Sequence, residues 1–599
     1  MPNLFESGLR RRIFAACLCC GVANCFTAAQ AAPNDNGCRE ELTASWSETE
    51  TTVWQSLARG EEIDLRGLPP NRRLIEPRFF QNILSCEELS DALPRGGIAL
   101  KGAIVPGILD FSLMDVPVRI SCTFCFLDQV NGRESQWRHS LVLDDSKLHR
   151  GLNLALARFD DEFRAQRLVS DGDLRLDQIS VGRNVVLFGL NSPQCSMRDG
   201  RIGGKLRLDG AIVENLDLGG TQVGNQLILS GIKIAKRAVL DRMKIGGDLL
   251  LRTYEGGPDP IIGASIPEVG GQDPARSDDY VVVLNSTKIG GRLEIAHARI
   301  NGPVSLDAIR VEEDIWLRDD SEVRGNIQMP FSRIGQNFDL STSLLQSIDA
   351  TGSTIGGELR LGAASLERLS APRWQPNGRF VLRNASAAAW VDFADCLDSP
   401  AGKCPAASDA GSAPNPWPPS IDVIGFSYDR AGGLGGGIER PEEWYVDWVN
   451  RQEPFSLDPY RRLADYLLTN GRVAAANQVL YAGKQRQRQQ SDFFTQIVLL
   501  LQWIFVGYGI RTWYILFWVV GIIILGAFIF SRTPEAKARH MPFCLAFSTE
   551  TFLPFVALRK RHGEIDFSGG TRYYLYFHKL MGWVCSLFFV SALAGLFEV

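Results

Sequence analysis

A short phrase, apolar-Gly-Gly-x-Leu-x-Leu, recurs through the middle of the chain and limits what the chain can become. It reads IGGKLRL from Ile202, VGNQLIL from Val223, IGGDLLL from Ile245, IGGRLEI from Ile289 and IGGELRL from Ile355. Weaker copies are VGRNVVL from Val181, VEEDIWL from Val311 and IGQNFDL from Ile334. Successive starts lie 21, 21, 22, 44, 22, 23 and 21 residues apart. Halfway through many copies comes a second apolar alternation, as in Leu216 and Leu218 or Val304 and Leu306. Alternation of this kind puts both leucines on one face of a strand. A unit of this length is too short for a hairpin packed with a helix, but it suits one turn of a solenoid whose strands stack in parallel on the next turn. Leucine-rich repeats share the period but need an Asn ladder and a helical or extended convex side, and neither appears. The expected fold is therefore mainly β. It is a right-handed parallel β-helix of about 21–22 residues per coil, with an α-helical N-terminal cap, a C-terminal helical hairpin and two transmembrane helices. Glycines at the corners are expected to supply positive φ.

The remaining segments divide the chain into 1–31, 32–94, 95–370, 371–457, 458–490 and 491–599. In the first, Arg10, Arg11 and Arg12 precede the run IFAACLCCGVANCF, and Ala29-Gln30-Ala31 offers a small-x-small cleavage site. This is the pattern of a secretory signal, with a short uncleaved anchor as the competing reading. Residues 32–94, in which 39–66 have helical composition, are expected to form a helical cap over the open first coil. The solenoid occupies 95–370, and the 44-residue interval after Ile245 reads as a loop thrown out of one coil. Residues 371–457 form an irregular linker and cap with a Pro/Ala-rich loop. Export implies an oxidising compartment, so Cys396 with Cys404, flanking that loop, is a disulfide candidate, and Cys38 with Cys86 is a second. Cys122 and Cys125 have CxxC spacing, but in a strand they are expected to face opposite sides, which argues against redox chemistry.

Near the C-terminus, 458–490 splits at Asn470-Gly471 into a helical hairpin. Asp458 is expected to cap its first helix, and Tyr460, Leu463, Ala464 and Leu467 form one apolar stripe. The charge-free run 512–530 is long enough to span a bilayer, and 580–597 is a second candidate span. Between them lie Arg532, Lys537, Arg539, Arg559, Lys560, Arg561, Arg572 and Lys579. The positive-inside rule assigns that segment to the cytoplasm and the solenoid to the periplasm. Segment 493–507 is expected to lie in the interface. Segment 544–558 is apolar but carries Glu550, a polar residue worth noting at membrane depth. Val506-Gly507-Tyr508-Gly509 has the letters of a potassium-channel filter but lacks the preceding span such a filter needs.

The coil phrase, IDVIGFSYDRAGG (421–433), DPYRRLADYLLTNGRVAAANQVLYAGKQ from Asp458, and VGYGIRTW before the apolar tail together carry a resemblance. They are similar to bacterial membrane-associated β-helical repeat proteins, distantly like pentapeptide-repeat proteins and often labelled "membrane-associated oxidoreductase". The resemblance covers about 95–599 and implies the solenoid and the membrane anchor. It implies no catalytic residue. The oxidoreductase label finds no nicotinamide, flavin, haem or metal signature in the residues, so no cofactor is expected.

Chemistry-bearing motifs are sparse. The six histidines are scattered, and no GxSxG, Walker A or GxGxxG pattern occurs. The densest acidic group is Glu312, Glu313, Asp314, Asp319 and Asp320, a weak candidate for the carboxylate cluster of a polysaccharide lyase or hydrolase. A net charge of −5 without a long basic stripe along the sequence argues against nucleic acid as the main partner. The expectation is an inner-membrane-anchored binding, scaffold or sensing module facing envelope polysaccharide or another envelope protein. An envelope polysaccharide lyase or hydrolase and a channel or transporter subunit are the alternatives. The pattern leaves the oligomeric state open.

Overall fold

The computed structural model describes residues 38–263, 280–362, 372–392, 416–432, 440–511, 513–534, 540–554, 556 and 568–593. The 1–31 segment, Cys396 and Cys404 lie outside them. The chain forms a parallel β-solenoid of about eleven turns followed by a helical region. Two long parallel sheets wrap one core. Most copies of the repeat phrase make two short strands, such as Arg201–Ile202 and Leu206–Arg207, joined across the glycines, whereas the copy from Ile355 lies in one strand, Thr354–Arg360. A longer strand such as Ile212–Asp217 then carries the chain along the second sheet.

Stacking follows the repeat. Val181, Ile202, Val223, Ile245, Ile289, Val311, Ile334 and Ile355 are successive partners in one column. Val185, Leu206, Leu227, Leu249, Leu293, Ile315, Phe338 and Leu359 form the next. All sixteen are buried, and burial of each such side chain contributes about 1.5–3 kcal/mol. The 44-residue interval counts as one step, because Ile245 pairs directly with Ile289. The extra chain leaves after Leu251, and Ile261–Ile262 rejoins the second sheet on Lys233–Ile234. Tyr254 of this excursion packs edge-on against Phe188 and lies over Gly210 and Gly231.

The glycines of the phrase do a different job from the one expected. Positive φ falls at Gln178, Asp199, Gly220, Arg242, Ser286, Ala308, Phe331 and Gly352 on one edge, and at Asp145, Arg167, Gly189, Gly210 and Gly231 on another. Gly203, Gly224, Gly246, Gly290 and Gly356 are absent from that set. A Cβ on any of them would sit 2.2–2.4 Å from the carbonyl oxygen of the stacked residue in the previous coil. Close approach between coils, rather than handedness of the turn, requires glycine there.

Both ends are covered. Helices α1 (Cys38–Thr43), α2 (Glu48–Ala58), α3 (Pro77–Ser85) and α4 (Glu87–Asp91) close the first coil. Ser47 and Glu50 make a capping box at α2, and the Cys38–Cys86 disulfide joins α1 to the start of α4. An aromatic chain runs from Trp46 through Phe79, Phe80 and Phe111 to Trp137 in the coils. At the far end the strands continue beyond 370. Arg373–Val381, Ser386–Val391, Ser420–Asp422 and Ser427–Ala431 stack in register on the preceding coils, so much of the segment read as irregular linker is solenoid.

Helix α5 (Glu442–Asn450) and the hairpin α6 (Asp458–Thr469) and α7 (Val473–Gln490) close that end. Trp390 of the last coils stacks on Trp448 of α5, and Tyr466 of α6 bonds both backbone groups of Ala431. Asp458 lies inside α6 and does not cap it. Its carboxylate accepts from Gly425 N–H at 2.7 Å and from Arg462, tying the hairpin to the last coil. Helices α8 (Phe493–Val506), α9 (Tyr514–Ser531), α10 (Met541–Phe552) and α11 (Gly570–Leu593) follow. Among the described residues α9 alone is long and apolar enough to cross a membrane. Helices α9, α10 and α11 meet at Gly526, where a Cβ would reach Ser548 and His578.

Candidate functional site

Parallel stacking in register repeats one environment down each column of side chains. In the column immediately before the buried Ile/Val column, the rungs are Asp115, Gln136, Arg158, Ser180, Arg201, Gln222, Lys244, Lys288, Arg310, Arg333, Thr354, Ser386 and Ser427. Six are cationic, and the acidic rung, Asp115, lies at the N-terminal end of the column, where it pairs with Arg138. Arg158, Arg201, Lys244, Lys288, Arg310 and Arg333 are all exposed, and none is in an ion pair with a described residue.

Just after the buried column comes a second exposed column: Asp160, Gly182, Gly203, Gly224, Gly246, Gly290, Glu312, Gly335 and Gly356. Its five consecutive glycines form a trough bounded by Asp160 at one end and Glu312 at the other. Trough and cations together line a groove of about 610 Å³, whose walls include Arg201, Lys244, Lys288 and Glu312. At a coil spacing of about 4.8 Å the glycine trough is about 24 Å long.

The expected acidic cluster does not assemble. Glu312, Glu313 and Asp314 sit at the corner before the strand Ile315–Arg318, and Asp319 and Asp320 sit at the corner after it. Four strand residues separate the corners by about 13 Å, beyond the separations at which paired carboxylates cleave glycosidic bonds. Asp314 is occupied: its Oδ1 accepts from Asn337 N–H at 2.8 Å and from Asn337 Nδ2 at 3.0 Å. Asn184, Asp248 and Asn337 hold the next coil in the same way. Asp319 is in an ion pair with Arg318 at 3.3 Å, its N–H donates to Thr342 Oγ1, and Asp320 lies 3.7 Å from Arg373. Only Glu312 of the five faces the groove.

Other singled-out residues find structural places. Cys122 and Cys125 are both buried, because Phe124 adopts positive φ and turns the chain between them. The contact with Cys125 and burial push the Cys122 thiol up, away from the thiolate. Cys38, Cys86 and Glu88 lie close together, but the two sulfurs are bonded to each other, which removes them as metal ligands. Tyr508 of the filter-like letters is buried in a turn against Tyr481 of α7, not lined up along a pore. Glu550 lies half-buried on α10.

The basic column escaped a strand-by-strand reading because its members are some twenty residues apart. Its signal is the residue before each Ile/Val of the repeat phrase, read downwards across copies. No family model, no curated protein and no solved structure matches the chain.

Proposed function

We propose that the chain is an exported, inner-membrane-anchored binding or scaffold module whose right-handed solenoid stands in the periplasm. In this reading 1–31 is a secretory signal, α9 and the apolar half of α11 are two spans, and the basic segment between them is cytoplasmic. What carries the reading is the long groove beside the glycine trough. It is a surface repeated coil after coil, and the described carboxylates around it do not converge into a catalytic pair. The fourteen residues of α8 are too few to cross a bilayer, which favours an interfacial helix and keeps the basic segment inside.

Protease treatment of intact spheroplasts tests it. The solenoid should remain folded and become accessible as a released, resistant fragment, while an epitope placed between α9 and α11 stays protected until lysis. Protection of the solenoid in intact spheroplasts, or recovery of the chain from the cytosol with 1–31 still attached, overturns the reading.

A further inference from the structure

Cations stacked one above another in register repel, and opposite charges directly across a ladder are the favourable arrangement. Several other positions of this solenoid use the favourable one. Arg167 pairs with Asp145, Arg183 with Asp161 and Lys236 with Glu214, each bridging adjacent coils at 2.5–3.1 Å. The column from Arg158 to Arg333 has no such partners, and Lys244, Lys288, Arg310 and Arg333 are four cations on successive rungs. A run of unpaired like charge beside a groove calls for an anion supplied from outside.

We propose that this groove binds an extended anionic polysaccharide laid along the solenoid axis, with carboxylates facing Arg201, Lys244 and Lys288. The glycine trough leaves room for a chain to lie against the backbone, since no side chain projects from Gly182 to Gly290. The rungs beside the five trough glycines are Ser180, Arg201, Gln222, Lys244 and Lys288, so carboxylates of a bound chain can meet a cation at three of the five, at a coil spacing of about 4.8 Å. Duplex DNA, with a phosphate every 3.4 Å or so on each strand, falls out of step. Among the described residues the groove walls also hold no aromatic ring on which bases or neutral sugars would stack. Asp160 and Glu312 place negative charge at the two ends of the trough and limit the bound segment to about five rungs. The exported-solenoid reading supplies only the place where such a ligand is met; the recognition stands on the groove itself.

The test uses the full-length chain in detergent micelles at low salt, with polygalacturonate as the probe. A fully methyl-esterified polymer of the same backbone and a single-stranded oligonucleotide are the comparisons. The wild-type chain should bind polygalacturonate and ignore the ester. Lys244→Gln with Lys288→Gln should weaken binding by about tenfold, as loss of two solvent-exposed charge contacts implies. Glu312→Gln should tighten it several-fold by opening the trough towards Arg310 and Arg333. Unchanged melting of each variant verifies folding. Equal binding by the double variant and the wild type, equal binding of the ester, or tighter binding of the oligonucleotide overturns the proposal. These outcomes are read on purified protein, so they are independent of the spheroplast result. A groove that fails to bind leaves the anchored-solenoid reading intact, and a cytosolic solenoid leaves the binding result intact.

Discussion

Two sets of columns climb the same solenoid and treat charge in opposite ways. In one set, each arginine or lysine reaches a carboxylate in the neighbouring coil, as Arg183 does to Asp161 at 3.1 Å and Lys236 to Glu214 at 2.8 Å. In the other, Arg158, Arg201, Lys244, Lys288, Arg310 and Arg333 face solvent beside a row of glycines. Both sets obey the same stacking geometry, so geometry does not explain the difference. Paired columns fasten coil to coil through their side chains, whereas the cations of the other column contribute ladder bonds through their backbone and make no ion pair among the described residues.

The sharpest test of the groove's architecture concerns its floor. Gly224→Ala would place a methyl group 2.2 Å from the Gly203 carbonyl oxygen, and that oxygen belongs to backbone that cannot swing aside. Prising two coils apart breaks ladder bonds on both sides of the site, so a loss of at least about 3 kcal/mol is expected in denaturant unfolding. Gly67→Ala, where nothing lies within 4 Å of the added atom, should stay within about 0.5 kcal/mol of wild type. Equal tolerance at the two positions would mean that the coils are not packed as described and that no such trough exists.

The paired columns should reveal themselves in acid. Hydrogen bonds hold three carboxyls below the usual range: Asp128 mainly through Arg150, Asp161 mainly through Ser140 with Arg183 adding to it, and Asp171 mainly through His149 and Lys147. A depressed folded-state value means that the stabilisation is complete above the unfolded carboxylate value of about 3.9 and is lost as pH falls through the folded values. The melting temperature should therefore hold steady from pH 7 to about pH 5 and drop below about pH 4. Arg150→Gln should shrink that drop, and Lys288→Gln, in the unpaired column, should leave it unchanged. Identical acid profiles for the two variants would erase the distinction between the columns.

How far the sequence reveals all this depends on where information sits in a repeat. The period and the inward ladder were legible, because Ile202, Val223, Ile245 and Ile289 recur with the same neighbours. The role of the glycines was not. Six of the eight positive-φ corners on one edge are held by Gln178, Asp199, Arg242, Ser286, Ala308 and Phe331 rather than by glycine. Meanwhile Gly203 and Gly224 look like turn glycines and are really contact glycines. The coils from Arg373 to Ala431 escaped because their strands depart from the Gly-Gly phrase, although Phe380 and Trp390 keep the inward pattern. Cys122 and Cys125 were placed on opposite faces for want of a sign that Phe124 breaks the strand. The acidic group looked dense only along the chain; a four-residue strand carries its two halves to different corners.

The smallest expected effect has the most telling sign. Removing a charge from a paired column takes away a favourable contact, whereas removing one from the basic column relieves repulsion. Two unit charges about 4.8 Å apart in water repel by about 0.9 kcal/mol, and exposed side chains that can turn away feel less. Lys288 has Lys244 and Arg310 as direct neighbours above and below. Lys288→Gln should therefore raise the melting temperature slightly at low ionic strength, and the gain should fade as salt shortens the screening length below the coil spacing. Arg183→Gln should move in the other direction or not at all. A substitution that stabilises the fold while weakening polyanion binding is the mark of a residue kept for its ligand rather than for its neighbours. Lys288→Gln that destabilises at low salt would show instead that the column is held by contacts within the solenoid, and the contrast between the two sets of columns would collapse.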